Sequence, residues 1–486
     1  MNIKTLIYDV LICFLVMACS SNNEVYVDTK PEAIETETKI YIPETNTLGT
    51  LKMTNDVYDG YTLFSSNKNT FLINNCGQII NTWTSHYERG SAVYLTDDGS
   101  ILRAGKIENN AIAIGGIGGI IERFDWNGNL KWSYTYSSSK YSQHHDFFPL
   151  PNGNILLLTL ERKTKEEVIQ AGRNPDVLED DELYTEQVIE IKPQGTTEAS
   201  IVWQWDVWHH LIQDFDTSKL NYGRVKDNLQ LININYVPTD GVGKKDWLHF
   251  NSLDYNLELD QILLSSQTLS EIYIIDHATT TEESNSHTGG QSGKGGDILY
   301  RWGNPLVYNS GIKDDQKLYG QHYPNWINQG EEKGHIMIFN NGLGRLENFS
   351  SVDIITPPLD SKGTYKMPNI DTGFLPENTT WSYTNPDDKL TFYSKIISSA
   401  QRLPNENTLI CEGTKGHFFE INKDKEVVWE YINPDAVNGV LSQGESAVSN
   451  SVFRAIKYDV NHPAFSGKDV SPKDPIELNF NIGNCE

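Results

Sequence analysis

The chain has 486 residues and sets 65 Asp+Glu against 39 Lys+Arg, for a formal net charge of −26. That balance excludes binding to nucleic acid through a general cationic surface, because phosphate contacts need clustered Lys and Arg. Apolar residues make up 38% and include 11 Trp, 24 Tyr and 17 Phe, which excludes a disordered acidic chain.

Residues 1–19 read MNIKTLIYDVLICFLVMAC. Lys4 gives a short basic start, Val10 to Ala18 an apolar run, and Val16-Met17-Ala18-Cys19 a small-residue cleavage site ending in Cys. The run is too short to span a membrane. The pattern is similar to a bacterial lipoprotein signal, with 1–18 removed and Cys19 lipidated; an ordinary secretory signal is the alternative. Residues 19–50 are polar and rich in Thr and Glu, and read as a flexible tether. No later segment offers 18 uncharged apolar residues. The expected location is therefore the cell envelope, at the periplasm or the outer membrane.

Beyond the tether one phrase recurs: an apolar strand, a tight Asp-Asp-Gly or Pro-Asn-Gly-Asn turn, a second strand, then a stretch closing on Trp. Residues 90–104 (GSAVYLTDDGSILRA), 143–158 (QHHDFFPLPNGNILLL) and 400–411 (AQRLPNENTLIC) carry it, and 321–339 carry a looser version. Second half-units end at Trp132, Trp203-Gln204-Trp205, Trp302 and Trp429. Alternation between hairpin turns predicts four-stranded antiparallel modules, and radial repetition of such modules is a β-propeller. The expected fold is thus all-β, a propeller of six blades over 51–486, with an array of β-sandwiches as the competing architecture. Residues 161–187 are charged and helix-compatible and read as a surface insertion. Residues 279–296 are rich in Thr, Ser and Gly and read as a mobile loop. Of the five Cys, Cys76, Cys411 and Cys485 leave a disulfide open, and no CxxC pair exists to hold zinc.

Several of the 12 His stand at strand starts: His144, His145, His249, His322 and His417. In a propeller such positions from different blades converge on the axis. Several His with an Arg there would form a donor-rich, cationic site for an anion. Strand alternation would send His144 and His145 to opposite faces, which argues against a metal set in His144-His145-Asp146 and leaves His145 as the better pocket residue. No metal site and no cofactor are expected.

The strings Asp246-Trp247-Leu248-His249-Phe250-Asn251-Ser252, Gly320-Gln321-His322, Phe339 to Arg345, and Phe392-Tyr393-Ser394 through Gly416-His417-Phe418-Phe419 resemble the bacterial arylsulfate sulfotransferases. That resemblance covers most of 50–460. It implies a propeller enzyme that moves a sulfuryl group from a phenolic sulfate ester to another phenol, without a nucleotide donor and through a sulfohistidine. By the resemblance His417 is the nucleophile, His249 and His322 are further site histidines, and Arg345 binds sulfate. His145, Asn251, Asn341 and Tyr323 are read as substrate-binding. Tyr323 stands where a small hydroxyl residue is familiar, Asn340-Asn341 replaces a more acidic pair, and only a tether precedes the propeller.

The partners implied are a small aryl sulfate, a phenolic acceptor and a membrane through Cys19; a homodimer is allowed. Two other readings use the same residues. One is a non-catalytic propeller that binds sulfated or other anionic ligands, and the other a metal- or quinone-dependent oxidoreductase.

Overall fold

A computed structural model describes residues 40–109, 111–238, 244–360, 363–366 and 373–485. The expected signal sequence, Cys19 and the expected tether up to residue 39 lie outside them. Six antiparallel sheets form a propeller. Blades 2 to 6 begin with the inner strands Arg89–Leu95, Tyr141–Pro149, Phe250–Asn256, His322–Trp326 and Ser399–Arg402, and each strand pairs with the next in sequence. Blade 1 runs Ala455–Asp459, Gly60–Ser66, Asn69–Ile73, Ile79–Thr84 from the axis outward.

The circle is closed from both ends of the chain. Ala455–Asp459 supplies the inner strand of blade 1, pairing Asp459 with Gly60. Gly49–Met53 adds a fifth, outer strand to blade 6, pairing Gly49 with Ile432. A disulfide between Cys76 and Cys485 ties the last turn to the outer hairpin of blade 1, while Cys411 is a buried free thiol. The end of the expected tether is not free chain. Asn46 donates to the carbonyl of Asn481 at 2.9 Å and Thr47 N–H to Gln443 at 3.0 Å.

Strand sequences here are often apolar at every position, because each blade buries both faces against its neighbours. Leu156 and Leu158 enter the core shared with blade 4, whereas Leu157 enters the core shared with blade 2. The closing Trp of each blade then clamps the next. Trp83 donates to Asp125 O, Trp132 to Glu198 O, Trp203 to Thr279 Oγ1, Trp302 to Pro376 O, and Trp429 back to Asn75 O. In blade 5 the closing Trp381 lies instead under Arg402 of blade 6, 4.8 Å from its ring centroid. The recurring Trp is therefore a joint between blades.

The segment 161–187 is part of blade 3 as well as a decoration. Its strands run on to Thr164 and resume at Glu182, and the capped helix Lys165–Gln170 tops them. The segment 279–296 is pinned rather than loose: Trp205 donates to Gly296 O at 2.8 Å, and His210 Nε2 donates to Ser284 O at 2.8 Å. Among the described residues no helix is long and apolar enough to cross a membrane.

Candidate active site

The inner strands share a backbone irregularity at their starts. Ser91, His145, His249, Tyr323 and Ser398 all take positive φ, at +100°, +47°, +46°, +47° and +89°. In blades 2 to 5 the ladder register slips beside it. Such a bulge re-aims side chains, and a non-glycine residue held left-handed costs on the order of 1–3 kcal/mol. Three of the five carry or adjoin site histidines, so this strain is concentrated where the blades meet the axis.

His145, in blade 3, is buried beside His249, which precedes the inner strand of blade 4; their ring centroids are 4.7 Å apart. Behind His145 runs a chain of hydrogen bonds. Glu186 Oε1 accepts Phe250 N–H at 2.9 Å, and Oε2 meets His144 Nε2 at 2.9 Å. With both oxygens accepting, His144 donates from Nε2, and in the neutral ring Nδ1 then holds the lone pair. That nitrogen faces His145 Nδ1 at 2.9 Å. His145 therefore carries its proton on Nδ1, and its Nε2 lone pair is free. Burial, with His249, His144 and His322 around it, pushes the His145 pKa well below 6.5 and keeps it neutral.

His249 is tuned the other way. Burial lowers its pKa, but the Asp246 carboxylate, 2.6 Å from Nδ1, outweighs that and leaves it raised. Nδ1–H is held by Asp246, so Nε2 is the nitrogen left for chemistry. His322 is closed on both sides. Its Nδ1 lies 2.8 Å from Asn341 Oδ1, and its Nε2 accepts Ile397 N–H at 3.1 Å. Burial pulls its pKa down to about 4.

The Phe453 ring stands 6.1 Å from His145 and 6.5 Å from His322, an apolar wall between them. Gly115 and Gly116 pass over the histidines, and His145 N–H donates to Gly116 O at 2.7 Å. A Cβ on Gly116 would lie 2.2 Å from His145 Nε2, so only glycine fits. Beneath is a buried layer. Arg454 pairs with Asp146 and stacks on Tyr323 at 4.5 Å and Tyr94 at 4.9 Å. Asp254, in the same layer, is pushed up to about 7 by burial. Among the described residues, Arg454 Nε and Nη1 have no hydrogen-bond partner.

The structure thus joins His145, His249 and His322, braced by Asn341. Asn251 donates to Gln321 O at 2.7 Å and so holds the strand entry of His322, and Tyr323 lies in the layer below. Two expected residues stand apart. His417 is on the third strand of blade 6, two strands out from the axis, with Nδ1 2.9 Å from Glu412 and Nε2 3.0 Å from Glu430. Burial opposes its protonation, but the two carboxylates raise its pKa to about 9, so it is a cation without a free lone pair. The expectation that it projects into the hub is corrected. Arg345 donates to Phe349 O and Ser351 Oγ, each at 2.9 Å, and stacks on Phe349 at 4.4 Å and Tyr319 at 5.3 Å. These contacts brace its own loop.

The profile of the family described as Arylsulfotransferase (ASST) matches residues 27–454. The chain belongs to the arylsulfotransferase family. As a member of that family it is a sulfotransferase, a class that uses small aryl sulfates and phenols. No curated protein matches it. Among solved structures it is similar to a protein of unknown function from Bacteroides caccae, at 12% identity and TM-score 0.42, covering 82% of this chain and 98% of that one. It is also similar to a periplasmic gluconolactonase from Pseudomonas aeruginosa, at 9%, TM-score 0.40, 82% and 99%. A third is the virginiamycin B lyase from Staphylococcus aureus, at 11%, TM-score 0.31, 79% and 88%. The architecture of this arylsulfotransferase-family chain stands on its strand pairings.

Sequence reasoning passed over Asp246, Glu186, Phe453 and Arg454. Asp246, three residues before His249, was the readable one. Glu186 sits in a strand of blade 3, and Phe453 and Arg454 follow the last turn motif, with no local signal.

Proposed function

We propose that the chain moves a sulfuryl group from an aryl sulfate to a phenolic acceptor at the hub, with His145 as nucleophile and His249 as acid and base. The observation that carries this reading is the run Glu186–His144–His145, which leaves a bare Nε2 lone pair beside the Asp246-held His249. Two neighbouring imidazoles with pKa values pushed apart are the arrangement expected of a base or nucleophile and its acid partner.

In the first half-reaction His145 Nε2 attacks sulfur and the sulfur–oxygen ester bond breaks. The departing phenolate takes the proton from His249 Nε2. The positive charge formed on the sulfated imidazole is shared through Nδ1–H with His144 and the Glu186 carboxylate. In the second half the acceptor phenol gives its proton back to His249, and its oxygen attacks sulfur and frees His145 Nε2. Such two-step transfer is ping-pong. Phe453 offers an apolar face to an aryl ring, and the Arg454 guanidinium adds positive potential from below. His322 and Asn341 position the site.

Release of nitrophenolate from para-nitrophenyl sulfate, with and without added phenol, tests the reading. Phenol-dependent release that His145→Ala lowers by about 10³-fold or more is the expected result. Release that does not depend on acceptor would point to hydrolysis, and an active His145→Ala would overturn the assignment.

The leader sequence supports export as a lipoprotein anchored at Cys19, and the Cys76–Cys485 disulfide fits an oxidising compartment. Loss of acyl labelling in Cys19→Ser checks the anchor; an undiminished label would refute it.

A further inference from the structure

We propose that His210, His287 and Asp297 form a binding site for a divalent first-row transition ion, away from the hub and independent of the sulfuryl chemistry. His210 follows the outer strand of blade 3, and the other two residues come from the segment that begins at 279 and its C-terminal flank. Their ligand atoms all lie within 4.8 Å of one another. His210 Nδ1 is 2.9 Å from Asp297 Oδ1, and His287 Nδ1 is 2.7 Å from the same oxygen.

The hydrogen bonding of His210 leaves one nitrogen for a ligand. Its Nε2 lies 2.8 Å from the carbonyl of Ser284, which only accepts, so Nε2 carries a hydrogen. Nδ1 points at the Asp297 carboxylate from a fully buried ring. A ligating imidazole whose other N–H is held by a backbone carbonyl is the usual outer arrangement of such sites.

The surroundings are built for the ring. Trp205 lies parallel to His210, with centroids 5.7 Å apart at 11°. A Cβ on Gly296 would come within 1.8 Å of Ser284 O and 2.7 Å of His210 Nε2, so glycine alone permits this approach. Asp297 and His287 also border a cleft of about 840 Å³ lined by Trp208, His209, Lys219 and Tyr222. Two imidazole nitrogens and one carboxylate oxygen suit zinc and its neighbours better than calcium or magnesium. Bonds of about 2.0–2.1 Å set tetrahedral donors about 3.3 Å apart, so each histidine nitrogen needs to move from the Asp297 oxygen by only about half an ångström.

The test is cobalt(II) binding to untagged full-length protein after chelation and dialysis, read by metal content and visible absorption. One tightly held equivalent is expected, with affinity lowered at least tenfold in His287→Ala and in Asp297→Asn and unchanged in His249→Ala. His287 is exposed, so its removal leaves the core intact. No stoichiometric uptake would mean an imidazolium–carboxylate pair only and would overturn the proposal. So would uptake that survives both substitutions, or that His249→Ala abolishes.

Discussion

His144 and His145 face each other Nδ1 to Nδ1 at 2.9 Å, a contact that neighbours on a regular strand do not make. The φ of +47° at His145 breaks the alternation and lets one imidazole set the tautomer of the next. Glu186, at the far end, fixes the direction of the whole run.

Glu186→Gln should therefore lower kcat while sparing the fold. The amide oxygen can still accept Phe250 N–H, but the amide nitrogen then faces His144 Nε2, so both the direction of the run and the charge behind the sulfated imidazole are lost. A fall of about 10–100-fold in kcat, with little change in KM for the aryl sulfate, is expected from steady-state kinetics. An unaltered kcat would show that the run is only structural.

The pH profile follows from the two opposed shifts. His145 must be neutral, and its pKa lies below 6.5, so the rate rises as pH climbs through that low value. His249 must be protonated in the first half-reaction, and its pKa lies above 6.5, so the rate falls as pH passes the higher value. A plateau spanning 6.5 is expected, with limbs that belong to the coupled pair. His249→Gln should remove the alkaline limb; a variant that keeps it would refute the role.

His417 is expected to matter for stability. Its folded pKa of about 9 is raised above the unfolded value near 6.5, so its contribution is complete below about 6.5 and disappears as pH rises through about 9. The shift corresponds to on the order of 3 kcal/mol. His417→Gln should cost that much in urea unfolding at pH 6 and little at pH 10, with turnover retained in the folded protein. An equal loss at both pH values would contradict the linkage.

The turn Pro404-Asn405-Glu406-Asn407 holds Glu406 at φ +70°, where the related turn in blade 3 uses Gly153 at +86°. Glu406 is exposed and its carbonyl, not its carboxylate, receives Arg402 Nη1 at 3.0 Å. Glu406→Gly should stabilise by about 1 kcal/mol in denaturant titration; destabilisation would mean the side chain has a partner in solution.

The propeller was legible because its turns and closing Trp repeat, and each has a local cause: left-handed turn residues, and an indole that reaches the next blade. The hub was legible in part. His145, His249 and His322 carry their signal as polar residues at strand starts, and the bulge there brings them together. His417 carries the same strand-start signal, and Arg345 reads as a site residue by motif. Their partners, Glu412 and Glu430 for one and Phe349 and Ser351 for the other, satisfy them within blades 6 and 5. Arg454 was hidden because it acts across the axis, 308 positions away from Asp146.

Sulfuryl transfer through His145 is tested by mixing the protein with para-nitrophenyl sulfate in the absence of acceptor, quenching at alkaline pH, and mapping the modified peptide by mass spectrometry. The expected result is a sulfuryl adduct on His145 that disappears on adding phenol. An adduct on His249 or His417, or none while turnover proceeds, would contradict it.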